Sequence, residues 1–144
     1  MNKRDFYTLS FTWGLPLTII GLIVAFILIC TGKKPKKWGW CYYFEIGKSW
    51  GGLEIGIIFL TDTTPTNRTR NHEHGHAIQN CKYGLIMPFL SLSSAARYWY
   101  RELRYHRKGL TPPTAYDDYW FEGDATRLGT ELIDRIGEDG NGKL

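Results

Sequence analysis

Cysteine is scarce in this 144-residue chain, and so is any excess of charge. Three cysteines, an odd number with Cys30 inside an apolar run, offer no disulfide framework and suit a reducing compartment. Eighteen Lys and Arg against fourteen Asp and Glu leave a formal charge of +4, too small to indicate a nucleic-acid binder on charge alone. There is no internal repeat, and the length allows at most one compact domain. Only one stretch is long and apolar enough to span a bilayer, which excludes a polytopic transporter.

That stretch is residues 6–32, which carry no charge. As a helix at about 1.5 Å per residue it would reach roughly 40 Å, more than the roughly 30 Å of a hydrocarbon layer. A cleaved signal peptide fits poorly, because no small-x-small site ends the run and Lys33, Lys34, Lys36 and Lys37 follow it as a stop-transfer cluster. Cys30 is a poor lipoprotein site, since the bulky Ile27, Leu28 and Ile29 precede it. Two basic residues before the run and four after it predict a cytoplasmic body, in which the sequon at Asn67 has no meaning. The expected division is a short tail (1–8), a transmembrane helix (9–32), a basic linker (33–38), a folded domain (39–136) and a disordered tail (137–144). The span lacks G-x-x-x-G, so no dimer is argued from it and the oligomeric state stays open.

Beyond the lysines, residues 38–60 are rich in aromatic and β-branched types, predicting two strands joined as a hairpin through a loop over 47–52. Their aromatics suit either the headgroup layer or a small core. Residues 62–71 read as a loop, and residues 71–82 as a helix of about three turns closed by Gly84. Residues 83–96 form a second uncharged run, too short to span, that is either re-entrant or interfacial, or a buried helix begun at Pro88. Arg97, Arg101, Arg104, Arg107 and Lys108 then follow at helical spacing among aromatics, as a solvated face or an attraction for anionic headgroups. Nucleic acid is disfavoured, since no binding-fold signature accompanies them. A last helix is expected from about Ala115 to Ile133, capped by Thr114, with Asp117 and Asp118 in its first turn. The fold class is therefore α+β: one transmembrane helix, then a small domain with a β-hairpin and about three helices.

Three of the four histidines fall within His72-Glu73-His74-Gly75-His76, which matches H-E-x-x-H. On a helix, His72 and His76 lie one turn apart on one face and can reach one Zn²⁺, while Glu73 sits at its flank where it can take a proton without being a ligand. On a strand all three histidines would share a face, but the flank Ala77-Ile78-Gln79-Asn80 favours the helix. A catalytic zinc needs a third protein ligand and an open fourth position. Glu122 is the choice, set among apolar residues with glycine and alanine to let helices approach; Asp118 and Asp124 are alternatives, as ligands or as groups that orient an imidazole.

With these residues the sequence resembles the gluzincin metallopeptidases, specifically the small membrane-associated kind found in bacteria. The resemblance is carried by His72-Glu73-His74-Gly75-His76 and by Glu122-Gly123-Asp124-Ala125, an E-x-x-A segment on a later helix. It implies a zinc cofactor held by His72, His76 and Glu122, Glu73 as general base, and a location at the bacterial inner membrane. The glycine-rich residues 52–60 are similar to the edge strand on which that family aligns an extended peptide. The family's second motif continues with Asp, whereas this chain has Thr126, leaving Asp124 or Asp118 to supply the missing carboxylate.

The expected function is thus hydrolysis of a peptide or membrane-protein substrate beside a lipid bilayer. Tyr116, Tyr119, His106 and Arg127 are candidates for a transition-state hydrogen-bond donor. Two other classes compete. One is a non-catalytic anchored accessory protein with a structural or vestigial zinc site, closed by His74 or an aspartate. The other is a lipid-binding protein that uses only its basic and aromatic surface.

Overall fold

The computed structural model describes residues 1–111 and 116–138. Its elements are helices α1 (Lys3–Ser10) and α2 (Leu15–Cys30), strands β1 (Lys36–Trp38), β2 (Cys41–Glu45), β3 (Gly52–Ile55) and β4 (Ile58–Thr61), then helices α3 (Asn67–Tyr83), α4 (Met87–His106) and α5 (Trp120–Glu138). The class is α+β, with a four-stranded mixed sheet in the order β1-β2-β4-β3.

The expected straight span over 9–32 is not what forms. Residues 6–32 are divided between α1 and α2, which meet at 89°, and among the described residues no single helix is long and apolar enough to cross a membrane. Gly14 and Pro16 cause the break: Gly14 caps α2, and Pro16 in its first turn can neither donate a hydrogen bond nor sit four residues after a helical carbonyl. The sixteen residues of α2 rise about 24 Å. Helix α1, opened by a capping box between Asn2 and Asp5, joins the domain instead of forming a tail. Phe6 is fully buried against His74 and Trp40, and the Tyr7 hydroxyl donates to the Trp40 carbonyl at 2.7 Å.

The hairpins also differ from expectation. The run 53–60 is two strands, because Gly56 at φ +75° turns the chain and pairs Ile55 with Ile58 across a two-residue loop. Gly39 at φ +57° does the same between Trp38 and Cys41. Strand β2 pairs with β4 in parallel, so the loop over 47–51 is a crossover and β3 becomes a sheet edge. Trp38, Trp40, Tyr43, Phe44 and Phe59 are buried, so these aromatics pack the core.

Helix α3 starts four residues before its expected start, because the Thr66 side chain accepts the Thr69 N–H and caps it. Residues 87–106 form one helix that joins the second apolar run to the arginines, with Pro88 harmless in the first turn. It is not a buried helix, since only Met87 and Ser94 are buried on it. Asp117 and Asp118 lie in a 3₁₀ turn (Tyr116–Asp118) ahead of α5 rather than inside it. Helix α5 continues through Gly137 and Glu138, which were expected in the tail; the proposed Thr114 cap and residues 139–144 lie outside the described residues.

Helices α3 and α5 approach to backbone contact. A Cβ placed on Gly75 would lie 1.8 Å from the Ala125 carbonyl oxygen, and one on Gly129 would lie 1.7 Å from that of Asn71. No side chain fits between them. Gly129→Ala is expected to destabilise the protein by more than about 2 kcal/mol, read as a lowered midpoint of thermal unfolding. An unchanged midpoint would mean that the crossing is looser than described.

Candidate metal centre

The close crossing sets His72 and His76 of α3 against Glu122 of α5. The His72 and His76 Nε2 atoms lie 3.1 Å apart, and each is 3.2 Å from Glu122 Oε2. An ion bound tetrahedrally at about 2.0–2.1 Å holds its ligand atoms about 3.3 Å apart, so the three atoms already stand at the spacing of one face of such a site. Glu122 and His76 are buried and His72 nearly so, and this group can hold a metal ion.

The surrounding hydrogen bonds decide which imidazole nitrogen is free. The Gln79 amide donates to the Phe121 carbonyl at 2.8 Å and to Asp124 Oδ2 at 3.3 Å, so its oxygen accepts a proton from His76 Nδ1 at 2.8 Å. Likewise the Thr126 hydroxyl donates to Asp117 Oδ2 at 3.2 Å and accepts from His72 Nδ1 at 2.8 Å. Both neutral rings thus turn a bare Nε2 toward Glu122. Three lone pairs at one point repel unless a cation or a proton sits among them. In the metal-free protein the proton is on His76: burial pulls its pKa down, but the hydrogen bond to Glu122 and the charges of Glu73, Glu122 and Glu54 lift it to about 9. Burial alone would raise Glu122, yet the imidazoles of His72 and His76 and the Ser94 hydroxyl beside it hold it well below the usual carboxylate range.

Each histidine is therefore backed by a carboxylate through one intervening residue. Thr126, where the family pattern has Asp, passes the hydrogen bond on to Asp117. Asp124 serves His76 through Gln79, and neither it nor Asp118 joins the group that can hold a metal. Sequence reasoning missed Gln79, Asp117 and Ser94, whose hydroxyl donates to Glu122 Oε1. Gln79 follows His76 by three residues on the same helix face, a spacing that could have pointed to it.

Glu73 is buried one residue along from His72 and is not among the ligand atoms. Burial raises its pKa, while the two histidines oppose the rise. Gly52 on edge strand β3 makes room for it, since a Cβ there would lie 2.4 Å from Glu73 Oε1. A cleft of about 570 Å³ opens over Gly52, His72, Glu73, Tyr98 and Tyr116. Of the four candidate donors, Tyr116 reaches the site, its ring 6.0 Å from that of His72, and burial with the Glu122 charge raises the pKa of its hydroxyl. Tyr119 lies under the Arg97 guanidinium, Arg127 pairs with Asp124 and Glu131, and His106 ends α4. His74 faces the other way: its Nε2 accepts the Trp40 N–H at 3.0 Å, so it cannot close the site.

No protein-family model, no curated protein and no solved structure matches this chain.

Two outcomes are expected from this geometry. Thr126→Val and Asp117→Asn each weaken metal binding about tenfold, and the double variant is no weaker than either alone, as chelator competition will show. Additive losses would mean that the two residues do not act in series. The second concerns Glu54, buried on β3 with the Gly56 N–H on its carboxylate; burial lifts its pKa to about 8 against the pull of His76 and that N–H. A raised pKa means the folded state holds the extra proton, so stability falls from about pH 4.5 to about pH 8 by about 1.4 kcal/mol per unit at most. Glu54→Gln in metal-free protein should remove that slope, and its thermal midpoint should overtake the wild type's as pH rises.

Proposed function

We propose that this chain is a membrane-associated zinc metallopeptidase of gluzincin type. The observation that carries the reading is the convergence of His72 Nε2, His76 Nε2 and Glu122 Oε2 at ligand spacing, with Glu73 beside them and a cleft above. His72, His76 and Glu122 would hold Zn²⁺, the ion that suits two imidazoles and a carboxylate with one position left open. Zinc supplies Lewis acidity toward a scissile carbonyl and brings the pKa of water to about 7.

The remaining work belongs to the protein. Glu73, held out of the ligand set, accepts a proton from the attacking water on a carboxylate oxygen and returns it to the leaving amine nitrogen. Its raised pKa suits both halves of that transfer. The Tyr116 hydroxyl, at the rim of the cleft, donates to the oxyanion that develops on the carbonyl oxygen. Strand β3 lies at the sheet edge beside Glu73, where an extended peptide can add as a further strand. The Gln79 and Thr126 hydrogen bonds keep both imidazoles in the ligating tautomer.

Glu73→Gln should retain one zinc per chain and lose at least about 10²-fold of peptide hydrolysis, whereas His76→Ala should lose the metal. Elemental mass spectrometry and cleavage of a quenched fluorescent peptide check the two halves. Absence of metal from the wild type would end the metallopeptidase reading. Zinc without cleavage of any peptide, in wild type and variant alike, would favour the accessory class.

A further inference from the structure

The side chains of α2 are arranged in the reverse of a water-soluble surface helix. Its inner stripe is small, with Thr18, Gly21 and Ala25 buried against the β3–β4 hairpin. A Cβ on Gly21 would lie 2.0 Å from the Ile55 carbonyl oxygen, and one on Gly56 would lie 2.5 Å from the Thr18 backbone. Leu17, Val24 and Leu28 pack partly on the core beside that stripe, but most of the large residues point away: Ile19, Ile20, Leu22, Ile23, Ile27 and Ile29 are exposed, and Phe26 is 68 % so. Burying small residues and presenting large aliphatic ones is how helices pack when the medium outside is itself apolar.

A second surface adjoins this one. At the corner between α1 and α2, Trp13 packs on Gly84, where the chain turns into α4. From there Leu85, Ile86, Phe89 and Leu92 are exposed in a stripe of helical spacing, Phe89 by 71 %. Each apolar segment ends in a basic cluster: Lys33 and Lys34 after α2, and Arg97 and Arg104 along the second half of α4 with Arg107 and Lys108 just after it. Apolar faces bordered by cations match one leaflet of a bilayer with anionic headgroups.

Both flanks of the run belong to one body. At its start, Phe6 and Tyr7 are built into the core, and before it the Met1 carbonyl accepts from Arg135 of α5. After it, Lys36 enters the sheet and pairs with Glu45 at 2.7 Å. A helix whose two ends are fastened to the same small domain cannot leave them on opposite sides of a membrane.

We propose that the outer face of α2, the Trp13 corner and the first turns of α4 form a monotopic insertion surface seated in one leaflet of an anionic bilayer. This deepens the membrane part of the proposed function and replaces the transmembrane helix expected over 9–32.

The test uses the full chain with vesicles of phosphatidylcholine alone or mixed with phosphatidylglycerol. The wild type should float with the mixed vesicles, and Phe26→Glu and Phe89→Glu, both at exposed positions, should each lower the floated fraction at least about fivefold. Arg104→Glu with Arg107→Glu should abolish the preference for the anionic lipid while leaving the apolar face intact. In proteoliposomes carrying Cys30→Ser, an impermeant thiol reagent should reach Asn2→Cys and Lys34→Cys from the same side. Labelling from opposite sides would overturn the monotopic inference while leaving membrane association standing. A soluble dimer that ignores both vesicles would overturn both, naming a second copy as the occupant of the face.

Discussion

A polar helix in the middle of the molecule sets the terms for everything around it. Helix α3 buries Glu73, His74, His76, Gln79 and Asn80, side chains that are expensive to remove from water unless their hydrogen bonds are restored. Each restoration ties down a neighbour. His74 takes the Trp40 N–H of the β1–β2 turn, Asn80 donates to the Gly14 carbonyl at the α1–α2 corner, and Gln79 donates to the Phe121 carbonyl of α5. Cys81 donates to the Phe6 carbonyl of α1. The fold is therefore specified from α3 outward, and the glycine-lined crossing with α5 is one member of that set. Because the ligands ride on the same two helices, what orders the core also sets the spacing of the metal centre.

That centre is electrostatically unfinished without a cation. Glu122, Glu73 and Glu54 surround two imidazoles; these carboxylates lift the pKa of His76, so that a proton is held there, while burial raises Glu73 and Glu54. A divalent ion would neutralise the same field and displace that proton, so metal binding and protonation compete for one place. The Thr126–Asp117 pair shows how a hydroxyl can connect an imidazole to a carboxylate. A hydroxyl cannot itself bear the negative charge, but it can pass the hydrogen bond to a carboxylate in the turn ahead of α5 that Arg68 also holds.

The site was more legible in the sequence than the fold. His72, Glu73, His76 and Glu122 follow from ligand chemistry and helix geometry, which depend on spacing within one helix and on one carboxylate. Gln79, Asp117 and Ser94 did not emerge, because each becomes meaningful only when a second element arrives beside it. The helix expected over 9–32 is helical but not continuous, for a local reason: the Gly14-Leu15-Pro16 punctuation breaks a stretch whose hydropathy is unbroken. Gly56 divided residues 53–60 in the same manner, and the parallel pairing of β2 with β4 depends on a crossover that alternation patterns do not encode. Thr66 was likewise hidden in a segment whose Thr, Pro and Asn content reads as loop.

Helix α4 connects the chemistry to the apolar surface. Its first turns expose Phe89 and Leu92, and Ala95, Tyr98 and Trp99, which line the cleft, follow Leu92 by three to seven residues. Along a helix that separation is about 5–10 Å, the distance from the acyl boundary to the headgroups. A leaflet holding Phe89 and Leu92 would therefore bring the mouth of the cleft level with the membrane surface. On the proposed reading, a peptide leaving the bilayer would meet the aromatic wall of α4 first and the β3 edge next, so the proposed insertion surface would also select substrates by proximity.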